Sequence, residues 1–238
     1  MFVLKRKSLI ITAVFVVIII TFCVCFSALK SQPSGRLDAD KITIVLDAGH
    51  GGVDGGVSGV TTGVKESELN LLVVNKIKNY LVSGGFNVVL TRNSDAGLYG
   101  VATKNKKKKD MQKRREIIIK ANPTLVLSIH MNNYSMQSRR GAQVFYKSGD
   151  ENAKALATKI QNSLNQMPTA SRSCDILKGD YYLLNCTNYP SAIIECGFLS
   201  NPEDEKLLIS NDYQEELAYT IFKGIIEYLS FASFKFCD

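Results

Sequence analysis

Residues 42–56 read ITIVLDAGHGGVDGG. The opening residues are apolar or β-branched, and the run closes on Asp-Ala-Gly-His-Gly-Gly. That pattern predicts a buried strand over 42–46 feeding a glycine-rich loop, where backbone can approach a ligand closely. Outward from this stretch, strand and helix signals alternate. Leu69, Leu72, Val73, Ile77, Tyr80 and Leu81 recur at helical spacing and give one apolar face to a helix over 67–83, stopped by Gly84 and Gly85. A strand over 86–90 follows, then a long polar loop over 91–110 and a helix over 111–121. Strands are predicted over 125–129 and 143–146, a helix over 152–166 ended by Pro168, a short buried strand over 192–194 and a closing helix over 212–229. There is no internal repeat. The pattern predicts a single α/β domain with a twisted, mostly parallel sheet and helices on both faces. Ligands of such folds gather outside the carboxyl ends of the strands. His50, His130 and Glu195 each fall at or just after one of those ends.

The chain has 238 residues and a formal charge of +7. Lys5, Arg6 and Lys7 precede residues 8–29, which carry no charge. At about 1.5 Å per residue that segment spans the roughly 30 Å hydrocarbon layer, and it exceeds the apolar region of a typical cleaved signal. The chain therefore divides into a membrane anchor or signal segment (1–29), a polar linker (30–40), an exported domain (41–232) and a tail (233–238). An uncleaved anchor with its positive end in the cytoplasm is the favoured reading. A secretory signal is the alternative, and either one exports the domain. A second lysine run, over 104–109, lies in the long polar loop. It lacks interleaved aromatics and has no nucleic-acid motif beside it, so it reads as a solvated loop with no nucleic-acid partner. Six cysteines are present without a CxxC pair. Cys174, Cys186, Cys196 and Cys237 read as buried free thiols, with a Cys174–Cys186 disulfide as the alternative.

The chain holds only two histidines, His50 and His130, each in a polar setting at a strand end. Glu66 and Glu68 open the helix after the first loop, where a carboxylate also has a plain role as helix-dipole partner. Glu195 stands inside the apolar run AIIECGFL, and an unpaired carboxylate there is costly. A cation, a metal site or a raised pKa must compensate. Two His and one Glu are a ligand set for catalytic zinc that leaves a fourth position for water. A further carboxylate is then needed to move protons, and Glu195 suits that task. Cys196 is a poor nucleophile candidate, because neighbouring strand residues point to opposite faces.

At these residues the chain closely resembles the zinc-dependent N-acetylmuramoyl-L-alanine amidases of type 3. The resemblance rests on four ordered motifs, LDAGHGGVDGG from Leu46, KESELNL from Lys65, SIHMN from Ser128 and IIECGFLSNP from Ile193. It covers residues 41–229. It implies His50, Glu66 and His130 as zinc ligands and Glu195 as the catalytic carboxylate. It implies peptidoglycan as substrate, a glycan strand bearing its stem peptide. Arg92 and Arg114 match further family positions and read as structural or substrate-facing. Arg92 and Asn132 are the candidate substrate contacts, Asn132 also bracing the loop around His130. Ala48, Met131 and Cys196 depart from the usual family residues without removing a ligand, and Ala48 is expected to loosen the loop that holds His50. One catalytic domain behind an anchor, without wall-binding repeats, is similar to the germination-specific branch that acts on the spore cortex and allows muramic-δ-lactam to form. A vegetative amidase for cell separation and a degenerate wall-binding protein are the alternatives. The stretch over 141–187 holds no evident plug for the cleft. Control is therefore expected from timing or from an accessory protein.

Overall fold

A computed structural model describes residues 42–102 and 104–235. The apolar N-terminal segment, the linker and residues 236–238 lie outside the described residues. Among the described residues no helix is long and apolar enough to cross a membrane.

Six strands form one sheet: β1 (Thr43–Ala48), β2 (Asn87–Leu90), β3 (Leu125–Asn132), β4 (Gln143–Tyr146), β5 (Leu177–Lys178) and β6 (Ser191–Phe198). Their order is β2-β1-β3-β6-β4-β5, and every neighbouring pair is parallel except β4 with β6. The mostly parallel α/β fold is as the sequence predicts. The central strands β1, β3 and β6 are nearly continuous apolar runs, as burial on both faces requires. Helices α1 (Glu66–Ser83), α3 (Glu151–Asn165) and α6 (Asn211–Lys235) pack together on one face. The other face carries α2 (Lys106–Ala121) and the one-turn α4 (Tyr182–Asn185). A short α5 (Pro202–Leu208) follows β6, with Asn201 Oδ1 capping it by accepting from the Glu203 and Asp204 amides. Cys174 and Cys196 are buried and, like the half-buried Cys186, are free thiols.

Several boundaries differ from the sequence reading. The lysine run is not a loop: α2 starts at Lys106. Its buried residues, Asp110, Arg114 and Ile118, follow a four-residue period that hydropathy cannot see, because two of them are charged. Helix α6 continues to Lys235, past the expected end at 229 and into the stretch read as a tail. Strand β3 runs through His130 and β6 through Glu195, so both residues lie within strands. The short β5, α4 and α5 have no periodicity long enough to announce them.

Side chains alternate across the sheet. Val45 and Val126 meet Ile118 of α2 and Leu183 of α4 in one apolar cluster. Two residues further along each strand, on that same face, stand Asp47 and Ser128. Asp47 is 1% exposed and Arg114 of α2 is also 1% exposed. Arg114 Nη1 lies 2.6 Å from Asp47 Oδ1, and its Nε lies 2.6 Å from Asp110 Oδ2. The Thr91 and Ser128 hydroxyls donate to the two oxygens of Asp47, each at 2.6 Å. Burial alone would raise the Asp47 pKa, but Arg114 and the two hydroxyls outweigh it and hold the carboxyl below its ordinary value.

Two substitutions test this packing. Arg114→Met leaves Asp47 buried without its counter-charge and is expected to cost about 3–5 kcal/mol in a urea melt; a loss below about 1 kcal/mol would mean the pair is dispensable. Gly224→Ala removes a helix-weakening glycine, but a Cβ there would stand 2.7 Å from Ile160 Cα of α3. It is expected to lower stability by roughly 1–3 kcal/mol, whereas helix propensity alone predicts a gain of about 1.

Candidate active site

The loop after β1 is fastened by two buried guanidinium groups. Arg92 Nε donates to the Ala48 carbonyl at 2.8 Å, and its Nη2 donates to the Gly49 and Ser67 carbonyls at 2.9 and 2.8 Å. Arg114 Nη1 donates to the Ala48 carbonyl at 2.7 Å, and its Nη2 to the His50 carbonyl at 2.5 Å. These bonds sustain a left-handed conformation at His50 (φ 61°), which a non-glycine residue rarely adopts. Ala48 therefore stands in a loop gripped through its backbone carbonyls. Arg92 is not a substrate contact: it is 3% exposed, with its donors engaged by backbone carbonyls behind the loop.

The loop turns His50 toward Glu66, the first residue of α1. Glu66 Oε1 lies 3.2 Å from His50 Nε2 and 2.9 Å from His130 Nδ1. The same oxygen accepts from the Met131 amide at 3.2 Å, and Glu66 Oε2 accepts from the Val57 amide at 3.0 Å. His130 fits because position 49 is glycine: a Cβ there would fall 2.2 Å from the His130 ring. Gly56 serves Glu66 likewise, since its Cβ would fall 2.3 Å from Oε2. Ligand atoms of His50, Glu66 and His130 all lie within 4.8 Å of one another.

Two residues with no role in the sequence reading complete this group. Asp54 Oδ1 lies 2.9 Å from His50 Nδ1, the ring nitrogen turned away from Glu66. Asn70 Nδ2 donates to Glu66 Oε1 at 3.3 Å and to the Gly49 carbonyl at 3.1 Å. The signal for both was spacing. Asp54 is four residues after His50, and Asn70 is one helical turn after Glu66. Asn132 borders the cleft, and its Oδ1 accepts from the Asn133 amide at 2.8 Å, which braces the turn after β3.

Glu195 is the direct partner of His130 across β3 and β6. It is 9% exposed, and its Oε2 has no hydrogen-bond partner among the described residues. Burial, reinforced by the nearby Glu66 carboxylate and opposed by the imidazoles, pushes its pKa up to about 7. Glu66 behaves in the opposite way. Burial raises its pKa, but the contacts with His130 and His50 outweigh that and leave it well below the carboxylate range. All these groups open on one cleft of about 660 Å³, whose further walls include Met111, Ile193, Tyr181 and Tyr182.

Two imidazoles and one ionised carboxylate, with an acidic residue facing the outer nitrogen of one imidazole, fit a divalent metal centre of catalytic type. The neighbouring Glu195, able to hold or lose a proton near neutrality, equips the cleft for metal-assisted hydrolysis.

The chain is similar to proteins of known activity. A family model described as N-acetylmuramoyl-L-alanine amidase matches residues 44–227. The chain is 34% identical over 230 residues to the germination-specific N-acetylmuramoyl-L-alanine amidase of Bacillus subtilis, covering 95% of this chain and 96% of that one. It is 25% identical to the amidase AmiA of Escherichia coli, over 83% of this chain and 80% of that one. Among solved structures, the CwlD amidase from Clostridioides difficile, in complex with the GerS lipoprotein, superposes with a TM-score of 0.74 at 38% identity. That match covers 79% of this chain and 98% of CwlD. By family model, by sequence and by structure, the chain belongs to the N-acetylmuramoyl-L-alanine amidases.

Proposed function

We propose that the chain is a zinc-dependent amidase that cuts the bond between the lactyl group of N-acetylmuramic acid and L-alanine in spore-cortex peptidoglycan. The observation that carries this reading is the convergence of His50 Nε2, Glu66 Oε1 and His130 Nδ1 beside an unpartnered, buried Glu195. When bound, the ion supplies a Lewis acid that polarises an amide carbonyl and acidifies a water. His50, Glu66 and His130 would hold it, and a mixed nitrogen and oxygen set of three suits a catalytic zinc. Asp54 Oδ1 stands 2.9 Å from His50 Nδ1, on the side of the ring away from Glu66, where a carboxylate favours the orientation that presents Nε2. Asn70 and the Met131 amide orient the Glu66 carboxylate. Glu195 takes a proton from the attacking water and returns it to the departing nitrogen of L-alanine.

The cortex assignment is supported by the likeness to the germination-specific amidase of B. subtilis along nearly the whole of both chains. The complex of CwlD with GerS supports an accessory lipoprotein as partner. The domain acts outside the cytoplasm in this reading, tethered by the apolar segment over 8–29.

Glu195→Gln is expected to keep zinc content and thermal midpoint while turnover falls by roughly 10²–10⁴-fold. Mass analysis of cortex digests checks this, and near-wild-type peptide release by the variant would remove Glu195 from the proton-transfer role. Zinc affinity is expected to weaken as pH falls. Burial lowers the His50 pKa, but its contacts with Glu66 and Asp54 outweigh that and raise it. The proton thus competes with zinc from above the ordinary imidazole range downward, by about tenfold per pH unit for each proton displaced. Competition titrations with a chromophoric chelator between about pH 8 and pH 5.5 measure the slope; a flat profile would exclude His50 as a ligand.

A further inference from the structure

The lysine run has no part in the chemistry above, yet its helical turn stands on the rim of the cleft. Lys106 and Lys107 line the cleft beside His50 and Asp54. A second groove of about 340 Å³ adjoins it, lined by Lys107, Lys108, Met111, Gln112 and Tyr182. Lys107, Met111 and Tyr182 belong to both. The two cavities therefore form one path, leading from the metal ligands outward between α2 and α4. Met111 and Tyr182 give this path an apolar floor, and the lysines give it a cationic edge.

The lysines do nothing for their own helix. The first turn of α2 contains no acidic residue, and Asn105 at its N-cap makes no side-chain cap. Several cations there oppose the positive end of the helix dipole and repel one another. Lys107 Nζ lies 3.7 Å from Asp54 Oδ2 with its side chain 78% exposed. Lys108 makes no ion pair among the described residues. A negatively charged ligand in the groove would relieve both penalties. Lys107 also stands one carboxylate away from a metal ligand, because Asp54 meets His50 through its other oxygen. An extended peptide leaving the scissile bond, at about 3.3 Å per residue, would pass Lys107 within its first few residues. A stem peptide with free carboxylates on its first residues would meet the lysines there.

We propose that the groove between α2 and α4 is the stem-peptide subsite and that Lys107 and Lys108 recognise the peptide's carboxylates. The enzyme then discriminates between stem peptides whose side carboxylates are free and those whose carboxylates are amidated. This inference rests on the amidase reading, which places the scissile bond at His50, Glu66 and His130.

The test uses the full chain loaded with zinc and two matched muropeptides, one with free and one with amidated stem carboxylates. The wild-type kcat/KM is expected to favour the free carboxylates, with the difference residing in KM. Lys107→Gln/Lys108→Gln is expected to reduce that preference by about three- to tenfold, as two partly exposed ion pairs allow. Lys120→Gln/Lys206→Gln removes the same charge from exposed positions outside the groove and is expected to retain the preference. Equal effects of the two double variants, or a wild type indifferent to amidation, would overturn the subsite. Affinities of the two muropeptides for Glu195→Gln are measured in parallel. A carboxylate preference in binding without hydrolysis by the wild type would sink the amidase reading and leave the subsite standing. Tighter binding of a polyol-phosphate wall polymer than of either muropeptide would assign the lysines to that polymer instead.

Discussion

The site depends on one buried contact, the guanidinium of Arg114 against the carboxylate of Asp47. Removing two charges from water costs several kcal/mol per ion, and a buried pair seldom returns a large net gain in stability. What this pair supplies is position. Asp47 ends the apolar part of β1, so its location is set by the sheet. Arg114 takes its bearing from that fixed carboxylate and from Asp110. Its remaining hydrogens reach the Ala48 and His50 carbonyls. The left-handed turn at His50 is thereby tied to a buried strand paired on both sides. Arg92 repeats the device from the other side of the loop. Two cations placed against backbone carbonyls thus convert a glycine-rich loop into a support rigid enough to aim an imidazole.

The three candidate metal ligands were legible in sequence because each stands beside something with a strong pattern. His50 follows an apolar strand and precedes glycines. Glu66 opens a helix with a clear apolar face, and His130 ends another apolar run. The lysine-rich turn of α2 was illegible for a definite reason. The stripe it buries is Asp110, Arg114 and Ile118, so only one of three core-facing residues is apolar. A pattern search for hydrophobic periodicity fails wherever the core contact is an ion pair. Arg92 was open to two readings in sequence, since an arginine at a strand end serves equally well as a substrate clamp or as a brace. Only the directions of its donors separate them. Asp54 and Asn70 stand at spacings that permit contact with His50 and Glu66, but only the way the loop folds back shows that the contacts form.

The two buried glutamates, one at the start of α1 and one within β6, show how one cleft holds both a candidate ligand and a candidate proton carrier. Glu66 accepts hydrogen bonds on both oxygens and faces two imidazoles, so its charge is compensated. Glu195 is comparably buried, but one of its oxygens has no donor among the described residues. Identical side chains are driven to opposite protonation behaviour by the count and direction of nearby donors. Their placement follows from register. His130 and Glu195 are opposed across β3 and β6, so whatever the histidine binds lies within a strand's width of the carboxylate.

Why the cleft lies on this face follows from how unequally the sheet is covered. Three helices of 18, 15 and 25 residues bury one face, while α2 and a four-residue α4 share the other. A single helical turn cannot cover β3, β6 and β4 together. Ile193 and Glu195 therefore line a cavity, while Ile194 and Cys196, alternating onto the well-covered face, are fully buried. The short coverage has a second consequence. It leaves Tyr181 and Tyr182 as the far wall, facing the basic turn of α2 across the opening. The brevity of α4 thus opens both the cleft that holds Glu195 and the candidate metal ligands and the groove that adjoins it.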